Sequence, residues 1–262
     1  MTKPVTLSKG GRHKRTLRVW FESGDMKQST YSAGCFVKTS RPRVTIAMSS
    51  LINLRSVTMF ADVQDRNILA RNILKTYGLA TRKEKLDGLR WYKKAKRECR
   101  ALALAKGVTL RHSVGVVAAT SPNLNWNKNV HTAGQVIDGY QQGLDHEAIE
   151  GCMAYKSNRL KGYKVMRDPN LSKSILKTLN GPKISAFFDN IMGGDSVTVD
   201  GHARNIAYGE RVQLKSDKAN IGVAEYRTLA QAYRDAASIL NIKACDLQAI
   251  TWVAWRRMHG IK

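Results

Sequence analysis

Between Leu179 and Asn205 the chain reads LNGPKISAFFDNIMGGDSVTVDGHARN, and no other stretch limits the fold as strongly. Asn180-Gly181-Pro182 are turn-forming residues, and proline suits the first position of a helix. A helix-like run follows from Lys183. Gly193-Gly194 breaks it, and a short apolar approach, Val197-Thr198-Val199, delivers Asp200. The pattern predicts one helix and its return loop, which together bring a lysine and an aspartate seventeen positions later to the same place. Both side chains are chemically competent, one as nucleophile and one as carboxylate, so the rest of the sequence has to be read around them.

The chain has 262 residues, enough to bury a real core. It carries 44 basic residues against 20 acidic ones, a formal charge of +24. A surface this basic repels itself and calls for a polyanionic partner, with nucleic acid in first place. A membrane surface fits less well, because the cations are spread along the whole chain rather than gathered on one amphipathic helix. No apolar run reaches the roughly 18 residues of a membrane span. The N-terminus is basic and polar and lacks the apolar core of a secretory signal, so an intracellular, cytoplasmic protein is expected. Cys35, Cys99, Cys152 and Cys245 are far apart and form no CxxC pair, and the six histidines are scattered. Free thiols in a reducing compartment are expected, with no structural metal and no cofactor.

Residues 1–48 read as a separate basic segment. Residues 1–17 form an arm able to touch phosphates, and Leu17 to Met48 holds short β-like runs between Gly, Ser and Pro turns. From 49 to 262 helical periodicity takes over, which predicts a mainly α domain with a partly extended N-terminal addition. Thr81 is placed to cap a helix that Gly107 ends and that carries Lys83, Lys85, Arg90, Lys93, Lys94, Lys96, Arg97 and Arg100. Its basic face is either a solvated surface or a stripe that faces phosphates. Val114 to Ala119 is an apolar helix whose small residues permit close packing. A polar reversal at Thr120 to Asn123 follows, where Asn125 could cap the next helix, expected from about Asn129. Tyr155 to Met166 is basic and aromatic, includes Lys161 and Lys164, and is broken by Asp168-Pro169. The last two helices are expected from about Tyr226 and about Asp246, with Trp252 and Trp255 as core anchors.

Leu179-Asn180-Gly181-Pro182-Lys183-Ile184-Ser185-Ala186 followed by Val199-Asp200-Gly201-His202-Ala203 resembles the helix–hairpin–helix DNA glycosylase superfamily, in its endonuclease III-like branch. That family has Leu-Pro-Gly-x-Gly-x-Lys-Thr-Ala at its hairpin and Val-Asp-x-His at its catalytic loop, at nearly this separation. The likeness spans about Val114 to Ile206, and Lys161 to Met166 resembles the helix before the hairpin. It implies a two-lobed helical fold, with the hairpin and catalytic loop at about 172–206. It also implies double-stranded DNA with a flipped base as the partner. The chain departs from the family in three places. Pro182 has no N–H to offer a phosphate. Asn205 stands where the family has an arginine, with Arg204 one place early. The C-terminal iron–sulfur cysteines of many members are missing. So compact a version is most similar to those that bacteriophages encode.

The resemblance implies that Asp200 and Lys183 are catalytic. Breaking an N-glycosidic bond builds positive charge on the sugar, which a carboxylate beside C1′ stabilises. A lysine of lowered pKa can instead attack C1′ and form a Schiff base, which opens the way to strand cleavage. Asn180 and Gly181 at the turn, with Lys161, Lys164 and Arg204, are the expected nucleic-acid contacts. Asn123, Trp126 and His202 are the expected pocket or wedge side chains for a base taken out of the stack. Plainer roles stand beside these: Lys183 as a phosphate contact, Asp200 as a helix N-cap, His202 as a residue that orients the loop. Two other functions fit the same residues. One is a phage transferase that modifies a base without breaking its glycosidic bond, and the other is a basic nucleic-acid binder without chemistry.

Overall fold

A computed structural model describes residues 65–169, 171–213 and 220–261. The expected N-terminal arm and β-like runs, residues 1–48, lie outside the described residues, as does Cys35. Within them the chain is mainly α-helical, with no strand. Residues 65–78 form α1. Then come α2 (Arg82–Ala105), α3 (Leu110–Thr120), α4 (Trp126–Gln141), α5 (Lys156–Arg167), α6 (Leu171–Leu179), α7 (Pro182–Met192), α8 (Gly201–Tyr208), α9 (Val223–Leu240) and α10 (Ala244–Met258).

Local chemistry sets most of these boundaries. Thr81 starts α2 with a capping box: its hydroxyl accepts from the Glu84 N–H at 3.2 Å, and the Glu84 carboxylate accepts from the Thr81 N–H at 2.7 Å. Asn125 caps α4 through Lys128 N–H at 3.0 Å, so that helix begins at Trp126, a turn earlier than the periodicity predicts. Pro169 ends α5, and α6 forms a separate helix before the turn. The helix that leads into Asn180 is therefore α6, and Lys161 to Met166 lies one helix further back. α10 starts at Ala244 rather than Asp246 because of a distant residue. The Asp195 carboxylate accepts from the Cys245 N–H at 2.9 Å and supplies the acceptor that Lys243 lacks.

Two large hydrophobic cores result. The first joins α2 to α7 around Val114, Val117, Ile137, Val165, Leu179 and Ile191. The second joins α1, α8 and α9 around Ile73, Ile206, Leu229 and Tyr233. α10 serves both, with Cys245 and Ala249 in the first and Leu247 and Trp255 in the second. α3 is the axis of the first core, buried from Ser113 to Thr120, and Gly115 admits Val165, whose Cγ1 would lie 2.7 Å from any added Cβ. α2 crosses α10 at Gly88, where a Cβ would lie 2.5 Å from the Cα of Ile250 and 2.7 Å from its N. That contact is backbone to backbone and locks the two helices in one position.

Cys99, Cys152 and Cys245 are buried free thiols, as their spacing predicts. Burial pushes Cys99 and Cys245 up to about 12, so both stay protonated and inert at neutral pH. Among the described residues no helix is long and apolar enough to cross a membrane.

Candidate active site

The turn before α7 is tight for a reason the residue types only partly reveal. Asn180 takes the left-handed conformation, with φ +43°, and Gly181 is extended, with φ −179°. Pro182 occupies the first helical position, and Lys183 follows in the first turn, half-buried. Gly181 has no side chain with which to cap α7, so the positive end of the helix lacks a side-chain acceptor beside Lys183.

Asp200 is reached along Val197-Thr198-Val199, which is buried but not a strand. Thr198 accepts from Asn190 Nδ2 at 3.0 Å and sits 3.2 Å from the Tyr92 hydroxyl, which donates to Gln248 Oε1 at 2.9 Å. This network ties the approach to α2, α7 and α10. Asp200 then caps α8, with Oδ1 accepting from the Ala203 N–H at 2.8 Å. No protein donor meets its other oxygen among the described residues.

Tyr226 of α9 holds the two halves of the site together. Its hydroxyl donates to Val197 O at 2.7 Å, accepts from the Val199 N–H at 3.3 Å and lies 3.2 Å from Pro182 O. One buried oxygen thus joins the start of α7, which carries Lys183, to the segment that ends at Asp200. Burial pushes the Tyr226 hydroxyl up to about 12, so it remains a donor at all working pH values. Tyr226→Phe should cost about 1–3 kcal/mol, because it strands a buried N–H and a buried carbonyl. Urea unfolding measures that loss, and any reaction at the site should suffer more than stability does.

His202 lies half-buried just past Asp200, with a buried Nδ1 that has no hydrogen-bond partner among the described residues. Burial lowers its pKa, Asp200 acts in the opposite direction, and the cations of Arg256, Lys183 and Arg211 lower it further. The ring is therefore neutral at neutral pH. Because its folded pKa lies below the ordinary histidine value, the unfolded chain takes the proton first as pH falls, and stability is lost on the acid side of that value.

An aromatic wall flanks these charges. Trp91 is its centre, with ring centroids 4.9 Å from Tyr92, 5.4 Å from Trp126, 5.8 Å from Phe187 and 6.1 Å from Trp252. Trp252 in turn lies 6.4 Å from His202, and the Arg256 guanidinium stacks 4.5 Å above it. Phe187 is one turn past Lys183 on α7, so the wall runs from the lysine side to the histidine side. The expectation that Trp252 and Trp255 are both core anchors holds for Trp255, which is 6% exposed, but Trp252 is half-buried and faces this wall.

Other expected contacts stand elsewhere or have partners within the protein. Trp126 joins the wall, with its Nε1 donating to the Glu98 carboxylate. Asn123, left-handed with φ +62°, donates to the Tyr155 hydroxyl at 2.7 Å. Arg204 pairs with Glu225 at 2.8 Å and lies over the Tyr208 ring, which fastens α8 to α9 and its neighbours. Lys161 and Lys164 lie on α5, and among the described residues no hydrogen bond or ion pair ties them to the Asp200 turn. Asn205 is buried and donates to Val212 O at 2.9 Å, which secures the loop that carries Arg211. Trp91, Tyr226, Trp252 and Arg256 reach the site from α2, α9 and α10, so no local pattern announces them, whereas Phe187 on α7 and Arg211 just past α8 lie close in sequence and only the packing shows their part.

The characteristic pattern of one protein family, DUF7178, matches residues 56–259. The chain belongs to this family of unknown function. No curated protein and no solved structure matches the chain. The DUF7178 match runs from α1 to the end of α10, so Lys183, Asp200, His202, the aromatic wall and its cations all lie within the family's domain.

Proposed function

We propose that the protein is a DNA glycosylase, which takes a modified or damaged base out of the stack and breaks its N-glycosidic bond. The observation that carries this reading is the Tyr226 hydroxyl, which joins the Lys183 helix to the Asp200 segment beside an aromatic wall. A flipped base needs a flat apolar surface, a departing base needs a counter-charge for the sugar, and a phosphate backbone needs cations. Trp91 and Trp252, the free oxygen of Asp200, and Arg211 with Arg256 match those needs in turn.

In the proposed step the C1′–N bond breaks and its electron pair leaves with the base. Asp200 stabilises the positive charge left on the sugar. Either water or the amine of Lys183 bonds to C1′, and the proton that the nucleophile gives up passes to the departing base. In the second case the sugar ring opens to an imine on Nζ, which allows elimination of the 3′ phosphate.

Duplex oligonucleotides carrying uracil, oxidised, alkylated or otherwise modified bases, incubated with the protein and borohydride, test the reading on a denaturing gel. A covalent adduct that disappears in Lys183→Ala establishes the lysine route. Alkali-labile sites without an adduct, dependent on Asp200, establish water as the nucleophile. Neither product on any substrate, with binding retained, would overturn the glycosylase reading in favour of a base-modifying transferase or a binder without chemistry.

A further inference from the structure

α2 carries a second cationic surface. Arg90, Lys93, Lys96, Arg97 and Arg100 converge on an open groove of about 520 Å³, and no carboxylate lines it among the described residues. Arg90, Lys93, Arg97 and Arg100 follow one another at helical spacing over roughly 15 Å of axis. Lys96 forms the groove's inner edge and is held in place by its hydrogen bond to Met192 O, the last carbonyl of α7, at 2.6 Å. Asp246 at the start of α10 feels Lys93, but it caps no part of this stripe. At about 100° per residue, the four outer cations lie some 100–180° round α2 from Trp91. The groove therefore faces away from the aromatic wall and belongs to a different surface from the Lys183–Asp200 site.

Five cations around one concavity repel each other unless a polyanion enters it. We infer that this groove binds the phosphodiester backbone of a nucleic-acid segment separate from the nucleotide at the Lys183–Asp200 site. Along about 15 Å of duplex axis one strand presents roughly four phosphates, at about 3.4 Å of axis each, so the four outer cations and the phosphates they pass match in number. Duplex DNA that engages both surfaces has to bend round α2 or come from two segments. The inference rests on the nucleic-acid part of the proposed function and not on its chemistry.

The test is equilibrium binding of an unmodified 30-base-pair duplex by the full chain as salt is varied. Arg90→Gln, Lys93→Gln, Arg97→Gln and Arg100→Gln are combined, and Lys96 is kept because it holds α7. A second combination, Arg71→Gln, Lys75→Gln, Lys177→Gln and Arg227→Gln, removes the same charge from exposed positions elsewhere. The groove combination is expected to lower the slope of log affinity against log salt by about 3–4, near 0.9 for each phosphate no longer neutralised. The control should move it far less, and both should keep the wild-type melting temperature. Equal effects of the two combinations, or duplex binding unchanged by the first, would overturn the inference. It also fails if only binding to phosphatidylserine vesicles is lost, or if the wild-type chain binds no duplex. The two proposals fail separately. Base release from a single-stranded oligonucleotide leaves the reaction standing without the groove, and a groove-dependent salt slope without base release leaves the groove standing without the reaction.

Discussion

Asp200→Asn should reduce base release on the order of 10²–10³-fold and leave the melting temperature almost unchanged. The two effects separate because Asp200 has two duties. Its Oδ1 caps α8 through the Ala203 N–H, and asparagine caps about as well as aspartate. Only the charge is lost, and the charge is what a positive sugar needs. Asp200→Ala should lower stability as well, by about 1 kcal/mol, because the cap is gone. If Asp200→Asn retains full base release, Asp200 is a cap and nothing more, and the chemistry lies elsewhere. An internal check accompanies the variant. The negative charge of Asp200 favours the protonated form of His202, so its removal should push the His202 pKa lower still, which histidine resonances followed over pH would register.

Gly88→Ala should destabilise the fold by at least about 3 kcal/mol in urea unfolding, at or beyond the upper end of the usual overpacking cost. In an exposed helix the same change would stabilise by about 1 kcal/mol. Here the new methyl group meets Ile250 Cα and Cγ1 at 2.5 Å and its N at 2.7 Å, and the main chain cannot rotate aside as a side chain can. Shortening the partner should therefore not rescue it: Ile250→Ala relieves Cγ1 but leaves Cα and N in place, and opens a cavity of its own. A neutral Gly88→Ala would mean that α2 and α10 are not held at this separation. The site would feel that too, since α2 supplies Trp91 and Tyr92 while α10 supplies Gln248, Trp252 and Arg256.

Much of the fold was legible in the sequence because its causes are local. Thr81 with Glu84, Asn125 before α4, Pro182 at the start of α7 and Asp200 before α8 all act within one turn of themselves. The core of the candidate site was legible too, since Lys183 and Asp200 flank one helix and its return. What escaped acts across long stretches of chain. Asp195 starts α10 fifty residues away, and nothing near Cys245 announces it. Tyr226 shows only as one apolar position in a periodic helix, yet its hydroxyl joins the two halves of the site. Trp252 and Trp255 have the same residue type on the same helix, and only the packing of α2 against α10 separates a wall residue from a buried one. Asn180 rather than Gly181 takes the left-handed backbone because Pro182 must follow an extended residue.

The aromatic wall has an optical consequence. Trp91, Trp126 and Trp252 are close enough for their excited states to mix, and Trp91 touches both of the others. Such a cluster gives a strong near-ultraviolet circular dichroism couplet and shares excitation among its members. A base stacked against Trp252 should change the couplet and quench the shared emission. Trp255, apart from the cluster and packed against His259, would report instead on the second core. If a base binds there as proposed, the cluster would report its arrival without a label.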